Sequence, residues 1–156
     1  MINKFLIACL FLLIGGCALS GPKYERIQDI PVSKAALYIY RPDIFLNGGI
    51  VPGLKLDRQE YAAIPPGGYL PFLLDEGPHE IELVFSENYG GVTPFKLTVD
   101  RNSEYFVRVE TEIWNGTRSF RLSIVDHDIG YREIVNNKLI DPVTGKRFSK
   151  SLIFEN

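Results

Sequence analysis

The chain has 156 residues, with 17 basic against 19 acidic side chains and a formal net charge of −2. Charge this balanced, with no long block of one sign, argues against a nucleic-acid ligand and against a polybasic membrane patch. Two cysteines, Cys9 and Cys17, are too few for a disulfide framework, so stability must come from an ordinary hydrophobic core, for which this length suffices.

The first element is a leader. Lys4 supplies a positive start, and Phe5 to Ile14 form an apolar run of the length of a signal-peptide core. A membrane-spanning helix needs roughly 18 to 20 apolar residues, and Gly15, Gly16 and then Ser20-Gly21-Pro22 stop this one early.

The stop, Leu13-Ile14-Gly15-Gly16-Cys17, resembles the lipobox of type II signal peptides: a branched apolar residue, two small ones, then a cysteine. The chemistry explains the residue types. A thiolate is nucleophilic enough to take a diacylglyceryl group as a thioether, and small residues let a peptidase approach the backbone. Cleavage is therefore expected between Gly16 and Cys17, with Cys17 lipidated and the membrane held through that N-terminal lipid. Cys9 is discarded with the leader. The competing readings are a buried core helix and an ordinary secretory signal with a chance cysteine. Ala18, where an Asp would stand against it, resembles in a Gram-negative cell the pattern that sends a lipoprotein to the outer membrane, facing the periplasm.

Residues 17–34 read as a lipidated, flexible tether, since Ser20, Gly21, Pro22 and Pro31 interrupt any periodicity. From Ala35 the pattern becomes short apolar runs between Gly, Pro, Asn and Asp clusters, the mark of an all-β domain over 35–139. Ala35 to Arg41 is apolar on both faces and predicts a strand near the middle of a sheet, ended by Pro42. A weak strand follows at Leu54 to Asp57, and then Tyr69 to Leu74, which Pro71 assigns to an edge or a bulge. Ile81, Leu83 and Phe85 alternate with Glu80, Glu82 and Ser86, and Phe95, Leu97 and Val99 with Lys96, Thr98 and Asp100, so each of these strands has one wet face. Glu104 to Trp114 and Thr117 to Val125 flank Asn115-Gly116, a dipeptide suited to a type I′ hairpin turn.

Phe120, Leu122 and Ile124 should then lie across from or beside Tyr105, Val107 and Val109. A short helix is expected near Ile129 to Asn137, with Asp128 as its cap, and 140–156 is left as a C-terminal tail. The architecture these elements predict is a single antiparallel β-sandwich of about seven strands with one short C-terminal helix.

Four motifs carry a resemblance: Ala36-Leu37-Tyr38-Ile39-Tyr40-Arg41-Pro42, Ile64-Pro65-Pro66-Gly67-Gly68-Tyr69, Glu76-Gly77-Pro78-His79-Glu80-Ile81 and Glu104-Tyr105-Phe106-Val107-Arg108. In order and spacing they look like a family of uncharacterised bacterial lipoproteins with a small β domain. The middle part also resembles PEGA-type modules, where a proline-glycine turn leads into one strand and a G-x-H turn into the next. The likeness covers about Ala35 to Leu139. It implies a fold and no catalytic set. The segment Ile44 to Val51 departs from it, as a hairpin or loop whose apolar residues could form a contact patch.

Chemistry is sparse. His79, in its turn, is expected to hydrogen-bond a backbone carbonyl. Asp126-His127-Asp128 offers metal-ligand types, but adjacent side chains on an extended chain point apart, so a strand end and helix cap is the plainer reading. No G-x-S-x-G elbow or free thiol is present in the mature chain, Asp75 and Glu76 read as solvated turn residues, and Gly67-Gly68 and Gly90-Gly91 lack a phosphate-loop setting. No cofactor or metal is expected, and the chain is read as a non-enzyme.

Aromatic residues at strand ends or in turns, Tyr61, Tyr69, Tyr89, Trp114 and Tyr131, are either packing or a stacking face for sugars. The expected role is a membrane-anchored binding or scaffolding module for another envelope protein, with Arg41, Ile44 and Phe45 as its contact residues. The alternatives are a glycan or peptidoglycan binder using Trp114 and, behind that, a hydrolase or metal site at residues 126–128.

Overall fold

The computed structural model describes residues 19, 21–44, 49–85, 94–114 and 117–140, the side chains of 114, 117 and 118 excepted. Gly16, Cys17, Phe45, Tyr89, the Asn115-Gly116 turn, the side chain of Trp114 and the tail from residue 141 lie outside the described residues. No helix among the described residues is long and apolar enough to cross a membrane.

The fold is mostly β, with two sheets and one short helix. The strands are β1 (Lys34–Tyr40), β2 (Gly53–Leu56), β3 (Gln59–Ala63), β4 (Gly68–Asp75), β5 (Gly77–Val84), β6 (Phe95–Val99), β7 (Glu104–Trp114), β8 (Thr117–Val125) and β9 (Lys138–Leu139), with helix α1 (His127–Ile134) before the last. One sheet runs β8-β7-β1-β4-β9 and the other β3-β2-β5-β6. Nine described strands replace the expected seven or so. The expectation of a purely antiparallel arrangement is also corrected, because β1 pairs parallel with β7 and β4 parallel with β9. The physical reason is that β1 and β7 enter the same sheet through long excursions into the other one, a connection that alternation in the sequence does not reveal.

Alternation does predict which side chains go inside. Leu37 and Ile39 of β1, Leu70 and Phe72 of β4, and Val107 and Val109 of β7 share one apolar cluster with Leu54, Ile81, Leu83, Leu97 and Val99 from the other sheet. The opposite face of the five-stranded sheet carries a second cluster of Ala36, Tyr38, Tyr40, Tyr69, Phe106, Ile134 and Leu139. β1 is therefore buried on both faces, which is why its residues lack alternation.

Pro71 sits where the strand tolerates it. The Tyr69 carbonyl accepts from Ile140 N on the β9 side, so Pro71, two residues on, turns its missing N–H to the same outer side, beyond the end of the two-residue β9. The chain then crosses from one sheet to the other between β4 and β5 at Gly77, whose φ of 133° is one that only glycine adopts freely.

The second cluster is closed from outside by two elements. Helix α1 lies over Phe106, approaching so closely that a Cβ on Gly130 would stand 2.4 Å from the Phe106 ring. It starts two residues before the expected Ile129, with Asp126 and not Asp128 at the cap position, because the Asp126 carbonyl already accepts from Ile129 N and Gly130 N.

The other cover is the segment 21–33, read from the sequence as part of a flexible tether. It is docked. Lys23 bridges Lys138, Tyr24 N donates to the Asn137 carbonyl, and Leu139 N donates to the Pro22 carbonyl, so the segment opens as a minimal strand outside β9. It then crosses the sheet as a strap: Glu25 N donates to the Tyr69 hydroxyl, Ile27 N to the Tyr38 hydroxyl, and Arg26 clasps Glu104 through two bonds. Tyr24, Ile27 and Ile30 pack on the cluster. Proline and glycine break periodicity without preventing burial, which is what the tether reading overlooked.

Candidate functional site

β7 is longer than β1. Their parallel pairing ends at Tyr40 opposite Arg108, where Pro42 stops β1, while β7 continues to Trp114 with only β8 beside it among the described residues. The Ser103 carbonyl points at β1, so by the two-residue repeat the backbone groups of Val109, Thr111 and Ile113 face the same side. Beyond Tyr40 that side is a slot. A cleft of about 470 Å³ lies there, lined by Arg41, Pro42 and Ile44 on one side, Arg108 to Thr111 along β7, and Glu133 from α1.

Of the expected contact residues, the structure brings Arg41 and Ile44 to this cleft in different roles. Arg41 is buried, and its Nη1 donates to the carbonyls of Ile50 at 2.8 Å and Ile64 at 3.4 Å while the guanidinium lies 5.1 Å from the Phe120 ring centre. It ties the Ile50 and Ile64 backbones, on either side of β2 and β3, to the end of β1. Burial lowers its pKa from the usual arginine value. Ile44 is 60% exposed at the rim, an uncommon placement for an isoleucine.

The outer wall is charged and ordered. Glu110 accepts from Arg108, from Arg121 and from Ser123 Oγ at 2.6 Å, and Arg108 also donates to Glu133 at 2.8 Å. Tyr40 Oη donates to the other Glu133 oxygen at 2.5 Å. Burial works against the Glu110 charge, but the bonds from Ser123, Arg121 and Arg108 outweigh it and hold the carboxyl down at about 2. A wall of alternating, mutually satisfied charges offers directional contacts.

Asn137 is a residue that sequence reasoning missed. It is buried, and its Nδ2 donates to both the Arg41 carbonyl and the Gly68 carbonyl, tying the end of β1 to the start of β4. The Asn136-Asn137 pair reads as an ordinary helix stop, so no sequence signal separates this role from a cap.

The other candidates fall elsewhere. His79 meets its expected backbone carbonyl, that of Asp75, at 2.9 Å through Nε2, and Nδ1 adds the Asp57 carboxylate at 2.6 Å. His127 faces Glu104 at 3.2 Å, and among the described residues no group of three or more His, Cys, Asp or Glu is arranged to hold a metal ion. Tyr69 lies in the second cluster, and Tyr61 packs edge-on against Phe72, whereas Tyr131 is 45% exposed. Set beside known proteins, the chain matches no family model and no curated protein sequence.

Proposed function

We propose that this chain is a lipid-anchored envelope protein whose β domain is a non-catalytic binding module, taking an extended segment of another envelope protein into the slot beside β7. The observation that carries the binding reading is the mismatch between β1 and β7. It leaves the backbone of Val109 and Thr111 facing a cleft with an exposed apolar rim at Ile44 and an ordered polar wall at Glu110. Added strands gain affinity from main-chain hydrogen bonds and specificity from alternate side-chain positions, which such a slot offers. The anchor reading rests on Leu13 to Cys17, and the outer-membrane reading on Ala18. The two sheets are read as the halves of one sandwich, supported by the cluster that Leu37 and Ile39 share with Leu54, Ile81 and Leu83.

Two measurements test this. Cys17→Ser should move an intact, folded domain from the membrane to the soluble fraction. A photoreactive residue at position 44 should crosslink one envelope protein in intact cells, and Thr111→Pro should abolish that adduct while leaving the thermal midpoint close to wild type, since an edge position tolerates proline. An adduct undiminished by Thr111→Pro would reject strand addition.

A further inference from the structure

The strap sets how far the domain stands from its anchor. Leu19 packs against the main core and its carbonyl accepts from Lys138 Nζ, and Pro22 to Tyr24 are bonded to β9 and Asn137. Gly21 lies so close to Leu139 that a Cβ there would stand 2.0 Å from the Leu139 carbonyl oxygen. Cys17 precedes Gly21 by four residues, a reach of at most about 14 Å. No length of chain remains to act as a stalk.

We infer that the domain lies directly against the membrane surface, presenting to the lipid headgroups the end of the fold that carries Gly21, Lys23, Asp43, Gly67 and Lys138. This rests on the acylation of Cys17 proposed above. These residues are at one place by direct contact: Lys138 N donates to the Gly67 carbonyl, Gly67 N donates to the Arg41 carbonyl, and a Cβ on Gly67 would touch Asp43. The other end of the sheet lies where Lys34 pairs with Asp75 and accepts from Asn102 N, beside Arg101. From Lys34 to Tyr40 β1 spans six steps, about 20 Å. The slot beside β7 opens at the membrane end, because Arg41 lines it. Its partner must therefore be reached within the headgroup layer or just above it.

The test uses the processed, acylated full chain in phosphatidylethanolamine–phosphatidylglycerol vesicles carrying a headgroup nitroxide quencher. With Cys17 acylated, an added cysteine is the only free thiol for a fluorophore. Asp43→Cys should lose its fluorescence to the quencher and Arg101→Cys should keep it, and a long Gly-Ser insertion after Ala18 should erase the difference without releasing the protein. Equal quenching at both positions in vesicle-bound protein overturns the membrane-apposed orientation while leaving the anchor standing. Failure of the acylation-competent chain to float with vesicles overturns the anchor, and this inference with it.

Discussion

At the residue scale, His79 shows how one side chain can fix a turn. Asp57 and Arg58 join β2 to β3 with φ angles of 49° and 70°, the left-handed pair of a type I′ turn made without glycine. What holds them is Asp57, which accepts from Glu80 N through Oδ1 and meets His79 through Oδ2. Both His79 partners are acceptors, so only the doubly protonated ring donates to both. Burial alone would lower its pKa, but the Asp57 carboxylate and the Asp75 carbonyl outweigh that and raise it above the ordinary value. A raised folded pKa means that the folded state binds the proton more tightly, so the contribution is full below about 6.5 and is lost as pH rises through the folded value. Urea midpoints should fall over that window in the wild type, and Asp57→Asn, which keeps the turn geometry, should flatten the fall. An unchanged slope would place the titration elsewhere.

At the element scale, the docking of α1 on β7 depends on Gly130. Replacing it with alanine sets two effects against each other. Helix propensity alone favours alanine by about 1 kcal/mol, while a methyl group 2.4 Å from the Phe106 ring must push the helix off its seat, at about 1–3 kcal/mol. The clash should win, so Gly130→Ala is expected to lower the denaturation midpoint; a rise would mean that the helix re-seats freely. The same scale separates what patterning discloses from what it conceals. The β7–β8 hairpin has the bounds read from its alternation around Asn115-Gly116, with Val107 opposite Ile124 and Val109 opposite Leu122, and β1 lies centrally as its unbroken apolar run requires. β3 passed unseen because Gln59 to Ala63 is an edge strand whose turn lacks the usual glycine, and β9 because two residues carry no period. The slot was invisible for a different reason: it arises from a length mismatch between β1 and β7, and no sequence pattern announces that those two are neighbours.

For the whole molecule, the strap turns an open sheet face into a second interior. Ile27 and Ile30 are worth up to about 1.5–3 kcal/mol each if fully buried, and both, with Tyr24 beside them, depend on the entry of the segment past Leu139. Gly21→Ala should break that entry, since the obstacle is a backbone carbonyl that cannot swing aside. The expected outcome is a lower melting temperature, together with new protease cleavage between residues 22 and 31. Resistance equal to wild type would show that the strap holds through Arg26 and Ile27 alone. Arg41 tells the same lesson about reading sites from sequence: its position at the end of an apolar strand is visible, but whether the guanidinium points out to a partner or in to Ile50 and Ile64 is decided by tertiary contacts.

The parallel pairing of β1 with β7 also dictates an order of assembly. β1 comes first of the nine strands β1 to β9, yet Ala36 finds its partner only at Glu104, after both excursions through the four-stranded sheet. Until then β1 has one edge unpaired, and the face that carries Tyr38 lacks Phe106 of β7 and the helix behind it. Contacts so distant along the chain are slow to close. Folding should therefore be limited by the arrival of β7, and during that wait β1 is the segment a chaperone would have to shield.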